Sequence, residues 1–512
     1  EDKMPLFIDK DRKEIAFCLI RLIDDENRTL GIFPLYHRSY YIIDEERSAD
    51  SLFIGMIKNL SPNKKYKYRI ECYKKTCGTL FASTFLQEFK TSFDLKEAND
   101  TLFFSIISDL HAGRKSGFLR GKLQKKVVSG NKDLEKVFSN IALTEKQTTF
   151  NRGYNLSIAT GDLTENSSYT EYWADLFKRA SRLWNHVPVF TTLGNHDYYT
   201  GGTGKGNVLG GSDEDCRYWH RYITNPVSSA GCLPGHWYSL DQGNVHLVFL
   251  DSNGMGWGKY SLDCQSEQWL WLENDLKNWR DKIDRGEKVP QFCIVFFHSA
   301  IVSCGYWGRG FNWGNDEKAQ SYLTPLFRKY GVHLVSFGHD HLYQRSEWLG
   351  TTYLANGRSG GMLRPDFFWL RRRVIFNIKR SCGDSKTRVF TTIYVPPNTN
   401  YRSQQDLEKH ENFKKQIRKE LLTIPTAKFF VFGTRTLTNR IGRRIDKNKQ
   451  IKEKIIDDFI MKKLDDHIWL RAYAVDKYKP IEKEELFDSG FIPVKINTLN
   501  ENYQITCPEK VI

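Results

Sequence analysis

Leu102-Phe103-Phe104-Ser105-Ile106-Ile107-Ser108-Asp109-Leu110-His111 begins as a mostly apolar, strand-length run and ends on a carboxylate and an imidazole two residues apart. The same form recurs downstream. Residues 156–159 lead into Thr160-Gly161-Asp162, and 187–191 lead into Gly194-Asn195-His196-Asp197. Residues 293–297 end at His298, and 334–337 end at Gly338-His339-Asp340-His341. Another apolar run spans 245–250, and helix-like stretches such as 172–184 and 266–281 lie between the runs. Buried strands alternating with helices predict an α/β domain. In open sheets of that kind, ligands gather at the carboxyl ends of the strands.

On either side the pattern changes. Short β-runs at 17–23, 39–43, 66–73 and 85–91 predict a small all-β sandwich over residues 1–98. After 363, β-like runs at 389–395, 428–432 and 468–475 mix with one helix predicted over 446–464, where Ile451, Ile455 and Phe459 recur every fourth residue. The chain has 512 residues, 40% hydrophobic and 27% charged, which excludes a disordered chain and a small disulfide scaffold. Its apolar stretches, such as 292–297, fall far short of the roughly 18 residues of a membrane helix, so no transmembrane segment is expected.

The net charge of +15 is concentrated. Residues 371–463 carry 24 Lys and Arg against nine Asp and Glu, which leaves 52 of each sign elsewhere. Such a segment is either a solvated face or a docking surface for a polyanion such as nucleic acid or phospholipid, with Arg371-Arg372-Arg373 and Arg443-Arg444 as its densest points. Ten cysteines allow local pairs, Cys72 with Cys77 and Cys216 with Cys232, or a fully reduced set. An even cysteine count and a first residue other than Met point to an exported compartment, secreted or periplasmic, with the cytoplasm as the alternative.

In an extended chain residues i and i+2 point the same way, so Asp109 with His111, and His339 with His341, are each expected to aim two ligands at one point. Glycines ahead of Asp162, Asn195 and His339 let the backbone approach closely. Asp109, His111, Asp162, Asn195, His298, His339 and His341 together exceed the needs of one tetrahedral ion. Two transition-metal ions, of Zn, Fe or Mn, are therefore expected, with Asp162 placed to bridge them.

These five elements, D-x-H, G-D, G-N-H-D, a lone His and G-H-x-H, resemble in order the calcineurin-like metallophosphoesterases. The resemblance implies two mixed β-sheets flanked by helices across residues 99–512, with the basic segment at about 371–463 as an insertion. It implies that Asp109, His111, Asp162 and His341 hold one metal, and that Asp162, Asn195, His298 and His339 hold the other. His196 would be the catalytic imidazole and Asp197 its orienting partner. The run from Gly338 to Ser346, and a β-domain placed first, resemble the purple-acid-phosphatase branch. That branch carries Tyr where this chain has Glu165, and usually Gly where it has His111, so no iron-tyrosinate pair is expected.

The activity implied is hydrolysis of phosphate monoesters by a metal-bound hydroxide, with His196 giving a proton to the leaving oxygen. The alternatives are a phosphodiesterase acting on nucleotides, nucleic acid or phospholipid, and a non-catalytic, metal-containing recognition protein. Gly357-Arg358-Ser359-Gly360-Gly361 also fits a serine-hydrolase elbow, though the residues after it make a poor helix. The glycine-rich run 201–206 lacks the Ser or Thr of a phosphate loop and reads as a loop beside the site. The loops 114–126, 198–211 and 306–315 are expected to wall the pocket.

Overall fold

The computed structural model describes residues 16–37, 52–74, 77–91, 102–113, 132–147, 154–199, 216–227, 235–252, 262, 264–303, 317–348, 351–360, 379–382, 388–395 and 469–475. The expected strands at 39–43 and 428–432, the helix at 446–464, the two arginine clusters and most of each expected pocket loop lie outside these residues.

The first six strands are β1 (Ala16–Ile23), β2 (Thr29–His37), β3 (Phe53–Ile54), β4 (Lys65–Lys74), β5 (Leu80–Ser83) and β6 (Gln87–Lys90). They form one antiparallel sheet in the order β3-β2-β1-β4-β5, with β6 also on β4. The β1–β2 turn carries Asn27 in the left-handed region, and Asp24 Oδ1 accepts from the main-chain N–H of Glu26 and Arg28. Cys72 is bonded to Cys18, not to Cys77, which remains a thiol. Register decides this: Cys18 and Cys72 face each other across β1 and β4 with their Cα atoms 4.3 Å apart. Cys216 likewise remains a thiol, and Cys232 lies outside the described residues.

The rest builds two mixed sheets. β7 (Leu102–Ile107), β8 (Leu156–Thr160) and β9 (Val189–Thr192) run parallel, and β17 (Arg388–Val395) and β18 (Trp469–Val475) add antiparallel on the β7 side. The second sheet has the order β10-β11-β12-β13-β15-β14-β16. Its strands are β10 (Tyr238–Gln242), β11 (Val245–Phe249), β12 (Phe292–Phe296), β13 (Leu334–Phe337), β14 (Tyr343–Trp348), β15 (Thr351–Asn356) and β16 (Lys379–Cys382). The basic segment is thus not wholly outside the sheets, because β16 and β17 come from it.

Two-residue alternation sorts the side chains into layers. Leu102, Phe104, Ile106, Val245, Leu247, Phe249, Ile294 and Phe296 fill the space between the two sheets. Phe103 and Ile107 point the other way, toward α1 (Lys132–Gln147) and α2 (Thr170–Trp184), where Trp173, Leu176, Ala180 and Leu183 make one buried stripe. Cys293, Val295 and Phe297 face α4 (Glu267–Asp284) and α5 (Glu317–Tyr330). Helix α4 starts where Ser266 caps it, accepting from the Trp269 N–H. The short α3 (Arg217–Tyr222) lies in the long connection between β9 and β10. The first sheet meets the domain at the end of α2, where the Tyr68 hydroxyl donates to Asn185 O at 2.9 Å and His186 Nδ1 lies 2.8 Å from Glu88 O.

Candidate metal centre

Asp109, Asp162 and Asn195 follow the adjacent strands β7, β8 and β9 of one sheet, while His298, His339 and His341 follow the adjacent β12 and β13 of the other. The two sets meet where the carboxyl ends of the parallel strands face each other. Convergence does not come from extended chain. Strands β7 and β13 stop at Ile107 and Phe337, and Asp109, His111, Asp162 and His339 all adopt left-handed backbone, with φ of 52°, 46°, 52° and 64°. For a side chain with a Cβ that conformation costs about 1–2 kcal/mol, and it persists only where the surroundings enforce it.

The enforcement is visible in the backbone. His111 N–H donates to Asp162 O at 2.9 Å and Ala112 N–H to Leu163 O at 3.1 Å, which zips the loop after β7 to the loop after β8. Asp109 Oδ2 accepts from the His339 N–H at 3.0 Å and from the Ser108 hydroxyl at 2.8 Å, linking the sheets. A Cβ on Gly161, at φ 84°, would stand 2.7 Å from both Gly194 N and His298 Nδ1. Closeness at that point requires glycine.

Seven expected ligand residues are brought together, and all are buried. His111 Nε2 and His341 Nε2 lie 3.1 Å apart, with Asp109 Oδ1 3.2 Å from the latter. Asp162 Oδ2 is 3.5 Å from His111 Nε2 and 3.3 Å from His298 Nε2. Asn195 Oδ1 is 3.0 Å from His339 Nδ1. Three triads can each hold an ion: Asp109, His111 and His341; His111, Asp162 and His196; Asp162, His298 and His339.

The electrostatics call for positive charge here. Burial works against charging His298, yet the Asp162 carboxylate outweighs it and raises the imidazole to about 10. His111 is raised to about 9, against burial, by Asp109 and Glu165. Burial raises Asp109 and Asp162, but the surrounding imidazoles more than reverse it and hold both below the usual carboxylate range. A cation satisfies the arrangement. His298 Nδ1 faces the Thr160 carbonyl at 2.8 Å, which can only accept, so Nε2 is the ring nitrogen turned toward Asp162 Oδ2, 3.3 Å away. Imidazole nitrogens, carboxylates and an amide oxygen suit Zn, Fe or Mn.

One expectation needs correction. Asp197 does not orient His196: its carboxylate accepts the N–H groups of Asp162, Leu163 and Gly194. His196 Nδ1 instead faces the Glu165 carbonyl at 2.7 Å. Neighbours in the tight 3-10 turn Asn195–Tyr198 project about 120° apart, so adjacency in sequence separates the two side chains. Glu165, visible in the sequence only as a mismatch, stands behind an expected ligand, with Oε2 2.9 Å from His111 Nδ1. Ser359 is fully buried, its Oγ accepting from the Ser108 N–H, so it supports the loop bearing Asp109.

Residues 104–343 match the family described as calcineurin-like phosphoesterase. A purple acid phosphatase of Glycine max is 28% identical over 193 residues, 36% of this chain and 36% of its own length. A phosphoenolpyruvate phosphatase of Allium cepa is 33% identical over 129 residues, 25% of this chain and 23% of its own. In fold, the chain is similar to a purple acid phosphatase from yellow lupin (Lupinus luteus) seeds, with a TM-score of 0.56 at 17% identity over 75% of this chain and 66% of that one. The chain spans about a third of the length of the curated relatives it matches first.

Proposed function

We propose that this chain, which carries a calcineurin-like phosphoesterase domain at residues 104–343, hydrolyses phosphate monoesters at a dinuclear metal centre. The observation that carries this reading is the position of Asp162 Oδ2, within 3.5 Å of His111 Nε2 and 3.3 Å of His298 Nε2, between ligands delivered by two different sheets. Asp109, His111 and His341 would hold one ion and Asn195, His298 and His339 the other, with Asp162 shared. When bound, the ions supply charge cancellation on the phosphoryl oxygens and acidify a water molecule. The preference for monoesters draws on the phosphatases of Glycine max and Allium cepa.

His196 manages the proton. Its Nδ1 proton is committed to the Glu165 carbonyl, which can only accept, so the exchangeable proton sits at Nε2. Nε2 lies 4.0 Å from Asp162 Oδ2, and the side chain is 15% exposed, open to a leaving oxygen as the ligands are not. Burial lowers His196 below the ordinary histidine value, which makes its protonated form the stronger acid.

In the same reading residues 1–98 form an orienting module for the catalytic unit at 99–512. The Cys18–Cys72 disulfide supports an exported compartment. No helix among the described residues is long and apolar enough to cross a membrane.

The test is turnover of p-nitrophenyl phosphate beside bis-p-nitrophenyl phosphate, with added Mn or Zn. Faster monoester hydrolysis, abolished in Asp162→Ala and strongly reduced in His196→Ala, is expected. Faster diester hydrolysis would make the enzyme a phosphodiesterase, and no turnover with metal bound would leave a recognition protein.

A further inference from the structure

We propose that Tyr199 is a positioning residue, which fixes which end of the Asn195 amide faces the metal centre; the inference rests on the dinuclear reading and deepens it. Two adjacent tyrosines follow Asn195 and His196, and they go opposite ways. Tyr198 is the last residue of the 3-10 turn, and its hydroxyl donates to the buried Asp251 carboxylate. Tyr199 leaves the turn with extended backbone, φ −71° and ψ 133°, while its N–H still donates to His196 O at 3.3 Å. Its side chain comes back over the turn, where the hydroxyl oxygen accepts from Asn195 Nδ2 at 2.9 Å.

An amide needs such a partner where a carboxylate would not. The two ends of the Asn195 side chain have nearly the same shape and opposite character, one an oxygen with lone pairs and the other an NH₂ that can only donate. Exchanging them would aim two N–H groups at a cation. With Nδ2 committed to Tyr199, Oδ1 is the end that meets His339 Nδ1, 3.0 Å away. Asn195 and Tyr199 are both buried, so the hydroxyl holds Nδ2 without competition from bulk water.

The ring has a neighbour of its own. It stands edge-on to the His196 imidazole, with centroids 4.8 Å apart and planes 66° apart. The hydroxyl therefore acts on Asn195 and the ring on His196, and Tyr199→Phe removes the first contact while keeping the second. Glu165 backs His111 and Tyr199 backs Asn195, so each of the two expected ions has a ligand held in orientation by a neighbouring side chain. Such partners fix the direction of a ligating atom and hence its affinity for the ion.

The experiment is chelator competition against the Zn-loaded full chain, with retained metal read by elemental analysis, comparing wild type with Tyr199→Phe and repeating the comparison in an Asn195→Asp background. Tyr199→Phe should weaken one ion per chain by about 10–100-fold, with the circular dichroism unchanged. In Asn195→Asp the two ends of the side chain are equivalent oxygens, so their orientation no longer matters and Tyr199→Phe should cost much less. A tyrosine that only packed the turn would cost the same in both backgrounds, and equal losses overturn the proposal. So does wild-type chelator resistance in Tyr199→Phe. Failure of the dinuclear reading would show separately, as unchanged metal content in Asp162→Ala.

Discussion

The Asp197 carboxylate accepts the main-chain N–H of Asp162 at 2.9 Å, and the same oxygen accepts the Gly194 N–H at 2.9 Å. One side chain therefore fastens the end of β8 to the end of β9 and holds Asp162 in its left-handed conformation. The residue beside His196 in sequence acts on Asp162 in space.

Asp197→Ala should accordingly strip three buried amides of their acceptor. At about 1–3 kcal/mol for each unsatisfied group, a loss of at least ~3 kcal/mol is expected. A fall in Tm together with lost metal would be the signature, and Asp197→Asn, which keeps one acceptor oxygen, should fall between. Wild-type metal content in Asp197→Ala would contradict the account.

Glu165→Gln should loosen His111 without displacing the backbone. Groups standing behind metal ligands typically govern about 10–100-fold in affinity. Chelator competition should reveal a loss of that size for one ion per chain, with the circular dichroism unchanged. Equal chelator resistance in the two proteins would mean that Glu165 does not orient His111.

Replacing Cys18 and Cys72 together by Ser removes a cross-link between residues 54 apart. Loop-closure entropy puts the cost near 4 kcal/mol in a chain-entropy account. The first sheet should melt at a lower temperature, while turnover below that transition stays intact. An unchanged melting profile would count against a formed disulfide.

His246 sits between Asp241 Oδ1 at 2.7 Å and Asp275 Oδ2 at 2.9 Å. Burial opposes its charge, but the two carboxylates outweigh burial and raise it to about 9. A raised folded-state value means the stabilisation is complete below the unfolded value of about 6.5 and fades as pH rises through about 9. Tm should decline across that window in wild type and decline less in His246→Gln. Parallel slopes would exclude His246 as the source.

Much of this was legible in the chain itself. The apolar runs before Asp109, Asp162, Asn195, His298 and His339 gave strands, because uninterrupted apolar runs are what strands covered on both faces require. Two-residue periodicity then divided Phe103 from Phe104 and Cys293 from Ile294, one facing helices and the other the opposite sheet. Strand β2 was missed because Thr29–His37 lacks a clean alternation, with exposed Leu30, Ile32 and Tyr36 on its outer side.

The amino-acid sequence by itself determined which residues stand at the strand ends, and hence which donors are present and in what order. Only the tertiary structure decided how they meet. Left-handed turns, not extended chain, aim Asp109, His111, Asp162 and His339. Cys18 found Cys72 through strand register, Glu165 found His111 across a loop, and His220 found His236 across the connection between α3 and β10. Each of these pairings depends on the registry and packing of elements distant in the chain, which local periodicity does not encode.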